Sequence, residues 1–358
     1  MSLAACHKDK PEPVNPSDTP QQEEIPVGEG IYNPAAHITS LSTDDGSPDE
    51  IWVWENRKLK SINSSDGNGG STPTSSFTYN GWRLSQANTI IQDQLPAIVS
   101  YSYANDKLSS MAISSQGMPM ATADVLHVGE RITHLDLNVS DVLIQMIVQM
   151  VGQGGLGGFD FGLGPQMNNS IARIGNALQT FGGQHSRNGK FSISSTDIEA
   201  DLTWEGDNVS RMIMTAEVVM GVTVEELQQI LPLDSIMGAM ASLLAYVSAG
   251  QELPLTLTVV DTTDMSYDSH NNPVQGFFGR LDPSILSANN VTALNNHGMM
   301  NLDLTITIPF LGDQHIPYSM PLGEGVVQTY SYTYNAAGFP ATMEDNEGFI
   351  TTYKYQEQ

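Results

Sequence analysis

The sequence has one cysteine, Cys6, in 358 residues. A lone thiol excludes a disulfide framework within the chain and a metal site built from several thiolates. Positive charge is also scarce, with 14 Lys plus Arg against 40 Asp plus Glu and a formal net charge of -26. Because nucleic acids and anionic lipid surfaces are bound through basic patches, we expect no nucleic-acid partner.

Long apolar runs are missing as well. The segment 235–251 carries no charged residue, but it is shorter than the about 20 residues that a membrane helix needs, and glycine and serine interrupt it. The alternating apolar segments are also shorter than the about 9 to 11 residues of a tilted membrane strand. We therefore expect a β domain that lies outside the bilayer.

A short pattern recurs along the chain. Each copy has an apolar pair two residues apart, a tight polar turn, an apolar residue about five positions later and another three after that. Residues two apart share one face of a strand, and Asn and Gly accept the positive φ angles of short turns, so each copy predicts a β-hairpin. The seven copies are Trp52 and Trp54 with Leu59 and Ile62; Phe77 and Tyr79 with Leu84 and Ala87; Tyr101 and Tyr103 with Leu108 and Met111; Leu126 and Val128 with Ile132 and Leu135; Leu202 and Trp204 with Val209 and Met212; Met265 and Tyr267 with Val274 and Phe277; and Tyr332 and Tyr334 with Pro340 and Met343.

The hairpins predict one mainly β domain over residues 31–358. Alternating segments at 253–259 and 302–308 add strands between the copies. The total exceeds a dozen strands, which is more than an open sheet usually holds without curling or closing. We predict a large antiparallel sheet that is curled or closed like a barrel.

Two segments break the β pattern with helical spacing. They lie at about 140–182 and 222–250, and glycines punctuate the first. They are expected either to cover the apolar face of the sheet or to form a mobile lid over an apolar ligand. The pattern does not distinguish a filled core from a cavity. The candidate ligand or lid contacts are Leu143, Ile147, Val151, Ile236, Met240 and Leu243.

The amino terminus resembles the end of a bacterial lipoprotein signal. Leu3-Ala4-Ala5-Cys6 matches a lipobox, in which the cysteine becomes the lipid-bearing residue. Residues 7–30 are rich in proline and charge and almost free of apolar side chains, so we predict that residues 1–30 are a lipobox remnant and a disordered tether. Cys6 is the predicted lipid anchor, and the expected location is the cell envelope, at the outer membrane.

No catalytic, metal or cofactor motif is evident. The eight histidines fall outside known metal and nucleophile patterns, although His127 and His134 flank the fourth turn. Asp44, Asp49 and Glu50 lack the spacing of a calcium loop and are interpreted as solvated loop residues. We predict no catalytic residue, no metal ligand and no cofactor.

The hairpins at 79–84 and 332–339 resemble the tyrosine-aspartate repeats of Rhs-type shells, although Asn or Ala replaces Asp in most copies. With the lipobox and the tether, the chain is similar to a family of Bacteroidota lipoproteins of unknown function with a porin-like fold. This resemblance implies a barrel-like domain outside the cytoplasm and no particular activity. We expect a non-enzymatic binding or scaffold protein, with a hydrophobic small molecule or an envelope protein as partner. The alternative is a hydrolase of envelope or dietary glycans with carboxylates in its loops.

Overall fold

The computed structural model describes residues 24–91, 95–140, 193–223, 247–248, 250–279, 283–308, 310–322 and 325–356, together with Ser170, Arg173 and Glu225. Within these residues the chain forms seventeen strands and the short helix α1 (Pro283–Leu286). No helix among them is long and apolar enough to cross a membrane. The strands are β1 (Ile38–Thr43), β2 (Glu50–Glu55), β3 (Lys58–Ser65), β4 (Ser71–Asn80), β5 (Arg83–Ile91), β6 (Leu95–Ala104), β7 (Lys107–Ser115), β8 (Met118–Val128), β9 (Arg131–Val139), β10 (Ile193–Glu205), β11 (Asn208–Val222), β12 (Leu253–Asn271), β13 (Asn289–Ile308), β14 (Gly312–Pro321), β15 (Val326–Tyr334), β16 (Pro340–Asp345) and β17 (Ile350–Tyr355).

The strands close into an antiparallel barrel, which confirms the predicted mainly β, barrel-like fold. Neighbours in sequence pair around the sheet, and β1 completes the ring by pairing with both β17 and β2. Strands β14 and β15 pair in succession with the two halves of β13, so together they fill one position of a sixteen-strand ring. A closed ring protects strand edges that would otherwise pair with other chains.

One wall of the barrel is tall and the other is short. Strands β12 and β13 have 19 and 20 residues, whereas β1, β2, β16 and β17 have 6 each. At about 3.3 Å per residue these lengths correspond to roughly 65 Å and 20 Å. The tall strands therefore extend beyond the short wall at one end, which we call the open end. The turns of the repeated hairpins lie at the other end, the turn end.

Apolar side chains point into the barrel and polar side chains point outward. Along β10 the buried residues Ile198, Ala200 and Leu202 alternate with exposed acidic or hydroxyl side chains. Strand β11 buries alternate residues from Met212 to Val222 in the same way. Outer-membrane barrels have the reverse arrangement, with an apolar outer band around a polar interior.

The repeated hairpins form where the pattern predicts them, with one error of register. Leu126 and Val128 of the fourth copy point outward and are exposed, whereas Val125 is buried and His127 points inward. His127 pairs with Ile132, at the same spacing as Tyr103 with Leu108 in the third copy. A register shift of one residue exchanges the two faces of a strand. The prediction placed Leu126 and Val128 on the inner face because both are aliphatic, and this assignment is wrong.

The sixth copy contains an insertion between its two arms. Tyr267 pairs with Val291 and Met265 with Leu294, not with the predicted Val274 and Phe277. The intervening residues 272–279 and 283–288, which include α1, fold into the barrel and bury Phe277. We call this segment the plug loop. Phe277 contacts the rings of Trp52 and Phe77 on the far side of the ring, so the loop crosses the lumen.

Aromatic side chains at the turn end link seven of the strands to their predecessors in the ring. In every case an inward Tyr or Trp donates a hydrogen bond of 2.7 to 2.8 Å to a backbone carbonyl on the preceding strand of the ring. We call this set the aromatic girdle. Burial raises the pKa of the tyrosine hydroxyls, for example those of Tyr79 and Tyr103, so they remain donors. The girdle consists of Trp54, Tyr79, Tyr103, Trp204, Tyr267, Tyr332 and Tyr355.

Residues 24–37, which we call the N-terminal strap, enter the lumen at the turn end. His127 occupies the girdle position of β8, and its Nε2 lies 2.8 Å from an oxygen of Glu29. The other oxygen of this carboxylate accepts a hydrogen bond from the Leu108 N–H at 2.6 Å, and the Gly30 carbonyl accepts one from the Leu84 N–H at 2.7 Å. The strap therefore binds inward-facing donors that lie beside the β-bulges of two hairpins.

The two predicted helical insertions are not confirmed, because most of their residues lie outside the described part of the chain. Ser170, Arg173 and Glu225 are described and have helical backbone. Arg173 lies in the lumen, where its Nε is 3.2 Å from a carboxylate oxygen of Asp261 on β12. The first insertion therefore contacts the inner face of the tall wall at this point.

Candidate functional site

A cavity of about 540 Å³ lies in the lumen against the short wall. Strands β1, β2, β15, β16 and β17 and the start of β13 form its sides, and the plug loop forms its floor. Ser47 and Pro48, in the exposed turn between β1 and β2, lie at its mouth, so the cavity opens toward the open end. Its volume is within the range of about 300 to 1,000 Å³ that is typical of small-molecule sites.

Aromatic and aliphatic side chains form most of the cavity surface. The rings come from the first and seventh hairpins, from β17 and from the plug loop, whereas the aliphatic groups come from every side. This composition matches sites that bury an apolar ligand body. The apolar lining residues are Leu41, Trp52, Val274, Phe277, Ile285, Val291, Tyr330, Tyr332, Met343 and Tyr353.

The polar groups of the cavity differ in the strength of their hydrogen bonds. Tyr332 donates to the Val291 carbonyl at 2.8 Å, so its hydroxyl is already used in the girdle. The hydroxyl of Tyr353 lies 3.9 Å from the sulfur of Met343, which is a weak acceptor. Burial raises the pKa of Tyr353 to about 12, with a further contribution from the negative charge of Glu50. Tyr353 is therefore a protonated hydroxyl beside a carboxylate.

Glu50 carries the one formal charge among the described residues that line the cavity. It is the first residue of β2 and is half-buried, and it faces inward because it lies two residues before Trp52. Its Oε2 accepts a hydrogen bond from the indole N–H of Trp52 at 3.2 Å. The interpretation of Glu50 as a solvated loop residue is thus wrong: the strand begins one residue earlier than expected.

A partly buried polar cluster lies beside the floor of the cavity. Asp268 accepts hydrogen bonds from the side chain and backbone N–H of Asn290 and from the hydroxyl of Tyr334. The ring of His270 stacks on Tyr334 at a centroid distance of 3.6 Å. Asn290 lines the cavity, so this cluster holds one edge of the floor in place.

A fully buried carboxylate, Asp261, lies on the tall wall. It has no exposed surface, and burial raises its pKa, while a hydrogen bond from Ser170 and the charge of Arg173 act in the opposite direction. Arg173 also donates to the Leu322 carbonyl at 3.1 Å. These contacts attach the first insertion to β12 and to the end of β14, and they lie apart from the cavity lining.

The residues predicted as site residues lie outside the described part of the chain. This holds for the anchor Cys6 and for all six candidate ligand or lid contacts. His127 and His134 do not meet, because His127 points inward to Glu29 and His134 pairs with Asp201 on the outer face. Within the described residues, no three side chains of His, Cys, Asp or Glu are grouped to hold a metal.

The cavity residues that the sequence interpretation missed carry only weak signals. Tyr332 belongs to a predicted hairpin, and Tyr353 lies in a predicted strand. Glu50 precedes the first aromatic pair at the spacing that places it on the same strand face, which is the one signal that could have identified it. Nothing in the sequence indicates that the short wall and the plug loop leave space between them.

Comparisons with known proteins give no family assignment. No family model and no curated protein matches the chain. A chain in the crystal structure of TcdB2-TccC3-TEV is similar at a TM-score of 0.22 with 7% identity, and the match covers 87% of this chain and 17% of that one. The chain thus spans less than a fifth of that protein, and a likeness at this score establishes neither a shared fold nor a shared function.

Proposed function

We propose that this protein is a non-enzymatic binding protein of the cell envelope that holds a small apolar molecule in its lumen. The observation that carries the proposal is the 540 Å³ cavity, with five aromatic rings around a single carboxylate. Burying a ring-sized apolar body there would release about 25 cal/mol for each Å² of apolar surface removed from water. The proposed ligand site is the cavity at the short wall.

The architecture supports passive binding. The strap and the plug loop fix the turn end through buried rings and hydrogen bonds, while the cavity opens at the opposite end. The hydrolase alternative requires two carboxylates about 5 to 10 Å apart across a cleft. The described cavity lining supplies one, Glu50, so binding is the better-supported function.

The lipid anchor at Cys6 and the outer-membrane location belong to the same proposal. Support comes from the lipobox-like sequence and from the position of the strap, since Gly28 and Gly30 reach the turn end beside Arg83 and Tyr103. A tether attached there would direct the cavity mouth away from the anchoring membrane. Ligand would then be exchanged with the aqueous phase or with an envelope protein partner.

Native mass spectrometry of the full chain, purified gently from its own host, tests this function. We expect the folded protein to carry an additional small molecule, which denaturing spectra of the same sample lose. Denaturing spectra should also show a lipid-modified Cys6 peptide. Folded protein without added mass, and with no small molecule in an organic extract, would overturn the binding proposal. An unmodified Cys6 would overturn the anchor alone.

A further inference from the structure

The floor of the cavity is attached to the N-terminal strap. Tyr32 of the strap is buried, and its hydroxyl donates a hydrogen bond of 2.7 Å to the carbonyl of Pro273 in the plug loop. The centroid of its ring lies 4.9 Å from that of Phe277. Both Pro273 and Phe277 line the cavity, so one strap residue contacts the floor through a hydrogen bond and through ring packing.

The hydrogen bond between Tyr32 and Pro273 is costly to lose. Burial raises the pKa of the Tyr32 hydroxyl well above its usual range, so the group stays protonated and donates. Pro273 is buried as well, so its carbonyl would lose this donor if Tyr32 moved away. An unsatisfied buried carbonyl typically costs more free energy than the hydrogen bond itself contributes. We therefore expect a shift of Tyr32 to shift Pro273 with it.

The strap is docked by contacts that lie apart from the cavity. The Gly30 carbonyl accepts a hydrogen bond from the Leu84 N–H, and the Glu29 carboxylate accepts one from the Leu108 N–H. None of these four residues belongs to the described lining of the cavity. Because a Cβ on Gly30 would collide with the Tyr103 hydroxyl, Gly30→Ala displaces the strap here without changing a residue of that lining.

Two amide protons report the order of the floor itself. Within the plug loop the Gly276 N–H donates to the Ile285 carbonyl at 2.7 Å, and the Phe277 N–H donates to the Val274 carbonyl at 3.1 Å. Val274, Phe277 and Ile285 all line the cavity. Loop amides exchange with solvent when the loop opens locally, so a looser floor raises their exchange rates.

We infer that Tyr32 is a positioning residue for the cavity: it couples docking of the strap to the position of the plug loop, so that displacing the strap loosens the floor and weakens ligand binding. This inference rests on the proposed function, because it assigns a means of regulation to that same cavity. The strap is continuous in sequence with residues 1–23, so a partner or an anchor that draws these residues away from the barrel lowers ligand affinity. By linkage, a bound ligand stabilises the docked strap by the same factor.

Calorimetric titration of the full chain with 4-phenylbutanol, whose apolar body suits the lining, tests the effect on binding. We expect Gly30→Ala and Tyr32→Phe each to lower the affinity about tenfold. Destabilisation alone leaves the affinity of a folded protein unchanged, so a merely structural role would not cause this loss. Because both changes act through the same hydrogen bond, Gly30→Ala should cause less than about a twofold further loss in the Tyr32→Phe background.

Gly81→Ala is the matched control. Gly81 lies in a turn at the turn end and has a φ of +59°, but nothing lies within 4 Å of its would-be Cβ, so this variant should bind 4-phenylbutanol as the wild type does. Hydrogen exchange tests the coupling without a ligand. The Gly276 and Phe277 amide protons should exchange about tenfold faster in Gly30→Ala and at the wild-type rate in Gly81→Ala.

Unchanged exchange of these two protons in Gly30→Ala, or an equal acceleration in Gly81→Ala, would overturn the coupling between strap and floor. Faster exchange with unchanged affinity would overturn the regulatory role, because the strap would then move the floor without controlling the ligand. If 4-phenylbutanol does not bind even the wild type, the proposed function fails for this ligand class, and the exchange rates still decide the coupling.

Discussion

Gly30 shows how closely the strap is fitted to the girdle. Its φ angle is +74°, and a Cβ placed on it would lie 2.0 Å from the Tyr103 hydroxyl oxygen. Only glycine allows the strap to pass here while Tyr103 keeps its hydrogen bond to the Leu84 carbonyl. One residue thus makes two contacts compatible: strap to barrel, and strand to strand.

Gly30→Ala should therefore destabilise the protein by more than the backbone strain alone. Gly46 provides the control, since its φ of +85° is similar and no atom lies within 4 Å of its would-be Cβ. We expect Gly46→Ala to cost about 1 to 2 kcal/mol and Gly30→Ala at least about 2 kcal/mol more, measured by urea unfolding. Equal losses in the two variants would show that the strap does not pack against Tyr103.

At the level of the hairpin, the fourth copy has a histidine at the girdle position, and this difference explains why the strap binds there. The other girdle positions carry Tyr or Trp, whose polar ends reach the preceding strand directly. His127 is too short for this contact, and the Glu29 carboxylate fills the gap between His127 and Leu108. A side chain of the strap thus links His127 to β7 by accepting from the Leu108 N–H, whereas a girdle tyrosine links two strands by donating to a carbonyl.

A double-mutant cycle tests whether Glu29 links His127 to β7. Glu29→Ala leaves the buried Leu108 N–H without its acceptor and should cost about 2 kcal/mol in urea unfolding. In that background His127→Tyr should recover about 1 kcal/mol, because the introduced hydroxyl can reach the Leu108 carbonyl as Tyr103 reaches Leu84.

In the wild-type background His127→Tyr should instead destabilise the protein, since the larger ring meets Glu29. The exposed Glu24 serves as the control, and Glu24→Ala should change stability by less than about 0.5 kcal/mol. If the effects of Glu29→Ala and His127→Tyr simply add, the girdle account of the strap is wrong.

The hairpins could be predicted because their signal is local. Strand period and turn chemistry identify Phe77 to Leu84 or Tyr101 to Leu108 without knowledge of the rest of the chain. The fourth and sixth copies failed where the information is not local. In the fourth, Glu29 stabilises an inward histidine from a position 98 residues away in sequence. In the sixth, the plug loop separates Tyr267 from its partner Val291, and its burial depends on Trp52 and Phe77.

For the whole molecule, the number of strands predicted a sheet that is curled or closed, but it did not predict what fills the lumen. A ring of sixteen strands is wide enough that side chains of the wall alone leave a channel. Here the strap and the plug loop enter the lumen and bury Tyr32, Phe277 and Phe278. The cavity remains where the short wall and the plug loop do not meet, and no sequence pattern specifies such a mismatch.

The unequal wall heights also separate two roles in the barrel. The tall strands carry the contact between Asp261 and the first insertion, whereas the short strands carry the cavity and its charge. Changes at Asp261 should therefore affect stability more than binding. Changes at Glu50 or Met343 should have the opposite effect.

A comparison of Met343→Trp with Thr342→Trp tests the central claim, that the lumen cavity is the binding site, most directly. Met343 lines the cavity, so the larger ring would occupy the ligand's space; Thr342 is adjacent but faces outward, where it bonds to Thr333. Calorimetric titration with 4-phenylbutanol, an uncharged molecule with an apolar body, should show at least about a tenfold loss of affinity in Met343→Trp and unchanged affinity in Thr342→Trp, with both variants folded. Equal affinity in the two variants would contradict the account, because the ligand would then bind elsewhere.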